Sequence, residues 1–195
     1  MSAVNLGGVS RIAIVGGSNT RTLAPYEDRT WTIWAHASAC RVIPRATCWF
    51  DLHRPVVWRT PKPWHPNYLH WLMHLRQPIY MQDRYPLVPR SIRYPRLTVE
   101  AAFPGAPFTS TFAWMMGLAL AGGVTQISVF GCDFPLRDEY WYQRPGAMWW
   151  VGLARGRGVE VTVHGELERG AWVYGYEDRP DSAPRVEDEH ATTEG

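Results

Sequence analysis

Lysine is almost missing from this chain: of its 20 basic residues only Lys62 is one. Positive charge is therefore carried by arginine, whose planar guanidinium suits bidentate contact with phosphate, although a GC-rich genome produces the same bias. Cysteine is scarce and odd in number. Cys40, Cys48 and Cys132 include two inside apolar runs, a pattern that argues against a disulfide framework and against a zinc cluster. No apolar run approaches the roughly 20 residues needed to cross a bilayer. The first ten residues hold no basic, apolar and cleavable pattern, so the expectation is a cytoplasmic protein without a membrane partner. Gly-x-Gly-x-x-Gly and Gly-Lys-Ser/Thr are both missing, which removes the dinucleotide fingerprint and the Walker loop.

What is present begins with tryptophan, 11 residues of 195; those left unburied are available to stack on a ring. Charge is divided along the chain. Residues 1–164 carry 17 Arg or Lys against 9 Asp or Glu, whereas residues 165–195 carry 3 against 9. A basic body favours anionic partners such as nucleotides, phosphorylated sugars or nucleic acid. The length suits one α/β domain, and we assign residues 1–176 to it. Residues 177–195 lose their apolar side chains and gain acids, Pro and Ser, the composition of a disordered acidic tail.

Short apolar runs at 11–15, 31–35, 47–51, 78–81, 126–130 and 159–163 read as strands. Each is continuous rather than alternating, so both faces are buried, as in an open, mostly parallel sheet with helices on both faces. Thr109 or Ser110 caps a helix that stops at Gly122-Gly123. Pro145 opens a second that runs to Gly156. Pro66 opens a weaker third over HPNYLHWLMHLR, with Leu69, Leu72 and Met73 as its buried stripe. Between 77 and 107 prolines forbid a long helix, and we expect an irregular Pro/Arg/Tyr-rich insertion lying over the sheet. Its Arg84, Arg90, Arg93, Tyr85 and Tyr94 read in three ways: a single-strand nucleic-acid surface, a loop with packed tyrosines and solvated arginines, or a lid closing an arginine on a pyrophosphate.

In a parallel sheet, ligands bind at the carboxyl ends of the strands, where strand order reverses. The residues following the strands are Gly16, Gly17, Ser18 and Asn19; His36 and Ser38; Asp51 and His53; and Gly131, Cys132 and Asp133. They are small or polar, and glycines at two strand ends let main chain approach a ligand. His70 and His74 stand one helical turn apart without the glutamate of His-Glu-x-x-His and read as a wet helix face. Cys132 reads as packing. Trp141, Trp149 and Trp150 follow helical spacing and read as core and interface.

The succession IAIVGGSNT, WTIWAHASA, ATCWFDLH and FTSTFAWMMGLALAGGVTQISVFGCDF, then a helix and VEVTV, resembles a Rossmann-type transferase superfamily. That superfamily includes bacterial lipooligosaccharide sialyltransferases and archaeal 6-hydroxymethylpterin diphosphokinase. The resemblance spans residues 11–163 and is most specific over 109–134. It implies that Gly16, Gly17 and Ser18 contact a nucleotide, with Thr109, Ser110 and Thr111 at a helix N-terminus suited to phosphate. It also implies that Asp133 and Asp51 face the site as ribose acceptors or as ligands of Mg2+. The histidine base that the sialyltransferases carry after Gly-x-Asp has no counterpart here, since DEYWYQRPG offers Asp138, Glu139, Tyr140, Tyr142 and Arg144.

From this the expected function is transfer of a glycosyl or pyrophosphoryl group from a nucleotide or nucleotide-sugar donor. Ser18, Asn19 and His36 would hold the donor, and Asp133, Asp51 and Arg144 would serve catalysis, Arg144 by offsetting leaving-group charge. The alternative is a binding protein without turnover that sequesters or senses a nucleotide or nucleic acid. A third possibility is an interaction module, oligomeric through its tryptophans.

Overall fold

A computed structural model describes residues 4–63, 65–135 and 140–168. The acidic tail expected at 177–195 lies outside the described residues, as do Asp138 and Glu139. Seven strands form one all-parallel sheet: β1 Arg11–Val15, β2 Thr32–His36, β3 Cys48–Asp51, β4 Ile79–Met81, β5 Ser91–Arg93, β6 Gln126–Phe130 and β7 Glu160–His164. Their order is β5-β4-β3-β2-β1-β6-β7. The chain winds outward from β1 through β5, then returns to lay β6 on the other flank of β1. The switch point is therefore the seam between β1 and β6, and their carboxyl ends open a crevice there.

Each central strand feeds two cores, as its continuous apolar run requires. Ile12 and Ile14 of β1 face one core with Ile127 and Val129 of β6, whereas Ala13 and Val15 face the other with Ile33, Ala35 and Phe130. The first core is covered by α3 Arg96–Ala102, α4 Thr111–Ala121 and α5 Tyr140–Gly156, the second by α1 Pro55–Arg59 and α2 Tyr68–Met73. α4 is buried nearly all round and starts as its sequence predicts, with the Ser110 hydroxyl accepting from the Ala113 N–H at 3.2 Å. An N-cap of this kind contributes about 1 kcal/mol.

Three expectations need correction. The Pro/Arg/Tyr-rich segment is more regular than expected: beyond the strand anticipated at 78–81 it adds β5 at the sheet edge, and α3, which follows directly, packs over the first core. α5 does not begin at Pro145. It already runs at Tyr140 and carries Pro145 inside it, on an exposed position where water can reach the Trp141 carbonyl that the missing N–H leaves unbonded. In α2, Leu72 is buried but Met73 is exposed, because the buried stripe runs through Tyr68, Leu72 and Leu75 and so turns Met73 outward.

The β1 and β6 loops meet backbone to backbone. Gly16 N–H donates to Phe130 O at 2.8 Å and Ser18 N–H to Gly131 O at 3.0 Å. The Thr20 hydroxyl accepts from Gly131 N–H and donates to His164 O, both at 2.8 Å, which ties in β7. A Cβ on Gly16 would run into Gly131 O and come within 2.9 Å of Cys132 Sγ; one on Gly131, whose φ is +63°, would lie 2.8 Å from Gly16 O. Gly17 differs, its nearest neighbour to an added Cβ being Ala39 at 3.7 Å. Gly16→Ala and Gly131→Ala are each expected to cost at least about 2 kcal/mol in urea denaturation, the range for overpacking or a forced φ. Gly17→Ala should stay within about 0.5 kcal/mol, and equal costs at all three positions would contradict this account of the seam.

Candidate functional site

At the switch point lies an open cleft of about 710 Å³. One wall is the β1 loop, Gly16, Gly17 and Ser18; facing it are Thr109, Ser110 and Thr111 at the start of α4. The floor is Gly131, Cys132 and Asp133 after β6, and His36 and His53 enter from the ends of β2 and β3. Eight of the sequence-predicted site residues thus come together: Gly16, Gly17, Ser18, His36, Thr109, Ser110, Thr111 and Asp133.

Three do not. Asn19 opens a short 3-10 turn, Asn19–Leu23, outside the cleft lining. Arg144 is half-buried, and its guanidinium donates to the carbonyls of Asp133 (3.0 Å), Phe134 (3.0 Å) and Glu166 (2.7 Å). That arrangement joins the β6 loop to the end of β7, and burial pulls the Arg144 pKa down from its usual value. Asp51 lines a smaller side pocket instead.

Two further groups of residues line the cleft, and of them the sequence reading names only Tyr140. Phe108 and Trp114 stack at 4.0 Å with their planes 17° apart and form an aromatic wall of the cleft, Trp114 remaining partly exposed. Their spacing of six residues spans the coil-to-helix boundary, so neither helical nor strand periodicity marks the pair. From α5, Tyr140 and Gln143 close the far side.

Electrostatics at the α4 end favour an anion. The Thr111 and Phe112 N–H groups have no hydrogen-bond partner among the described residues, and they add to the positive end of an 11-residue helix; such ends bind phosphates. Thr109 and Thr111 bring hydroxyls to the same place.

The carboxylates do not fit a magnesium site. Asp51 Oδ1 accepts from the His53 N–H and ring, and its Oδ2 accepts from the Tyr68 hydroxyl. Asp133 Oδ1 accepts from the Glu166 N–H at 3.2 Å and fills the space beside Gly165. Among the described residues no group of three or more His, Cys, Asp or Glu could hold a metal. His70 and His74 fit none either: their rings lie 4.1 Å apart on an exposed face, with His74 Nδ1 2.8 Å from the His70 carbonyl.

The thiols are unreactive by environment. Burial pushes Cys40 up to about 11 and Cys48 up to about 12. Cys132 is pushed up further by burial, then by the Asp133 charge. In the insertion, Tyr94 is buried and donates its hydroxyl to Trp114 O at 2.7 Å. Tyr85 meets Trp58 edge-on, whereas Arg84, Arg90 and Arg93 are exposed. Trp150 is buried on the inner face of α5, and Trp141 and Trp149 are exposed. Among the described residues no helix is long and apolar enough to cross a membrane.

No protein-family model matches the chain, and no curated protein does. Among solved structures it is similar to the sialyltransferase CstII from Campylobacter jejuni in complex with a substrate analogue, cytidine-5'-monophosphate. The identity is 10%, covering 82% of this chain and 80% of that one, with a TM-score of 0.47. This is a weak likeness, at the level of the fold.

His36 is set apart by its charge state. Its Nε2 is shielded from solvent without a partner among the described residues, and burial, then the neighbouring His53, lowers its pKa to about 4. Native His36 is thus neutral down to about pH 4, whereas in the unfolded chain it takes up a proton near 6.5. Stability is lost as pH falls from 6.5 towards 4, by at most about 1.4 kcal/mol per pH unit for one proton. Urea denaturation at pH 7.5, 5.5 and 4.5 is expected to show His36→Gln losing less stability across that window than the wild type. Parallel losses would refute a neutral buried imidazole.

Proposed function

We propose that this chain binds a nucleotide-type donor in the switch-point cleft and transfers a glycosyl or pyrophosphoryl group from it. The observation that carries the reading is the meeting, at one crevice, of an anion-binding end and an aromatic wall. The phosphates lie against the α4 N-terminus, bonded by the Thr111 N–H, which has no partner among the described residues, and by the Ser18 and Thr109 hydroxyls. The base lies against Phe108 and Trp114. Each supplies what the other lacks: a helix terminus alone takes any small anion, and an aromatic pair alone takes any flat ring.

The α5 residues Tyr140 and Gln143 line the far side of the cleft and narrow the access of water to the donor. Asp133, at the floor, accepts a ribose hydroxyl through the oxygen that Glu166 leaves available. Residues 1–176 act as one Rossmann-like unit in this proposal, working in the cytoplasm.

Calorimetry with a set of nucleoside mono-, di- and triphosphates tests the reading. At least one is expected to bind, and its phosphate-free nucleoside should bind at least about tenfold more weakly, the scale of losing a charged hydrogen bond. Ser18→Ala and Thr111→Val should each weaken the nucleotide by a similar factor. Affinity should change little between 50 and 200 mM salt, since a single nucleotide neutralises few charges. A steep fall instead would indicate a nucleic-acid surface, and no binding by any nucleotide would remove the proposal.

A further inference from the structure

Beside the cleft, the carboxyl end of β3 carries a second set of polar side chains. Asp51, the last residue of β3, is only 4% exposed. Its Oδ1 accepts from the His53 N–H at 3.1 Å and lies 2.7 Å from His53 Nδ1, and its Oδ2 accepts from the Tyr68 hydroxyl at 2.7 Å. Burial, then the Asp51 charge, pushes the Tyr68 pKa well up, so its phenol stays a donor. A carboxylate at Nδ1 fixes the proton there and leaves the lone pair of the imidazole on Nε2.

This group borders a side pocket of about 300 Å³ that opens into the cleft, with His36, Ser38, His53, Thr111 and Tyr140 lining both. Two buried atoms of residues lining the side pocket have no partner among the described residues, His36 Nε2 and Trp58 Nε1. Both atoms are sealed from water and so lie behind the pocket wall; the wall itself offers Ser38, Lys62, Tyr68 and Thr111, which suit a hydroxyl-bearing occupant.

Resting on the reading that a nucleotide donor fills the cleft, we infer that the side pocket takes a hydroxylated acceptor and that His53 is its general base. Asp51, held by Tyr68, is the positioning residue. The acceptor O–H proton moves to His53 Nε2 as the acceptor oxygen forms its bond to the electrophilic carbon or phosphorus of the donor. The bond from that atom to the nucleotide oxygen breaks, and the electron pair leaves with the nucleotide phosphate towards the α4 N-terminus. His53 then returns the proton to water, and Asp51 keeps hold of Nδ1 throughout.

The test follows both binding and turnover in wild type, His53→Gln, Asp51→Asn and the double variant. Nucleotide affinity is measured by calorimetry. Nucleotide release from a panel of nucleotide sugars and nucleoside triphosphates is measured by chromatography, with water and glycerol as acceptors. His53 is 56% exposed, so His53→Gln should fold and bind nucleotide within about twofold of wild type. Its turnover should fall on the order of 100-fold, the usual contribution of a general base. Asp51→Asn should lower kcat at least about tenfold with KM unchanged, and the double variant should be no slower than His53→Gln, as for residues acting as one unit. Should Asp51→Asn fail to fold, His53→Gln alone decides. A loss smaller than tenfold in His53→Gln, or a wild type that binds nucleotide and cleaves nothing in the panel, overturns the base assignment and leaves the nucleotide reading standing. A wild type that binds no nucleotide removes that reading, and the inference with it.

Discussion

The structure depends on how closely two pieces of main chain approach each other where β1 and β6 end. Gly16 and Gly131 touch without side chains between them, and the contact is fixed by the Gly16 and Ser18 N–H bonds to the β6 end and by the Thr20 hydroxyl. The glycines of the first loop thus divide their work. Gly16 serves the seam, whereas Gly17 is exposed and leaves the surface beside Ser18 low. Because the seam is also the switch point, the same contact that joins the two halves of the sheet sets the distance between the β1 loop and the α4 N-terminus.

The central fold could be read from residue order because burial on both faces leaves a plain signature. IAIV and ISVF are unbroken apolar runs, and Ser110 with Gly122 marks both ends of α4. The edge is illegible for the opposite reason. In β5 only Ser91 is buried, Ile92 and Arg93 facing outward, so three residues between prolines hold their place by pairing with β4 and not by any pattern of their own. The start of α5 was hidden by Pro145, which usually marks a first turn but here sits on a wet face.

Among the site residues, legibility followed the strand ends. Loops after parallel strands converge whatever their sequence, so the meeting of Gly16, Ser18, His36 and Asp133 at one cleft could be read from position alone. The Phe108–Trp114 stack and the Asp51–His53–Tyr68 set could not, since each joins residues from different elements. Tyr68 lies 17 residues beyond Asp51, and nothing in either local pattern announces the other. Arg144 shows the reverse case: a charged residue in the right region whose guanidinium is committed to three carbonyls of the scaffold.

The pairing of Arg11 with Gln126, 115 residues apart, has a consequence for biosynthesis. At about 5–20 residues per second a ribosome needs roughly 6–23 s to deliver β6 after β1 has emerged. Through that interval the nascent chain presents one flank of an apolar central strand with donors and acceptors unmatched, the kind of edge that recruits other chains. Translation speed and chaperone supply should therefore govern the yield of this protein more than the stability of its finished form.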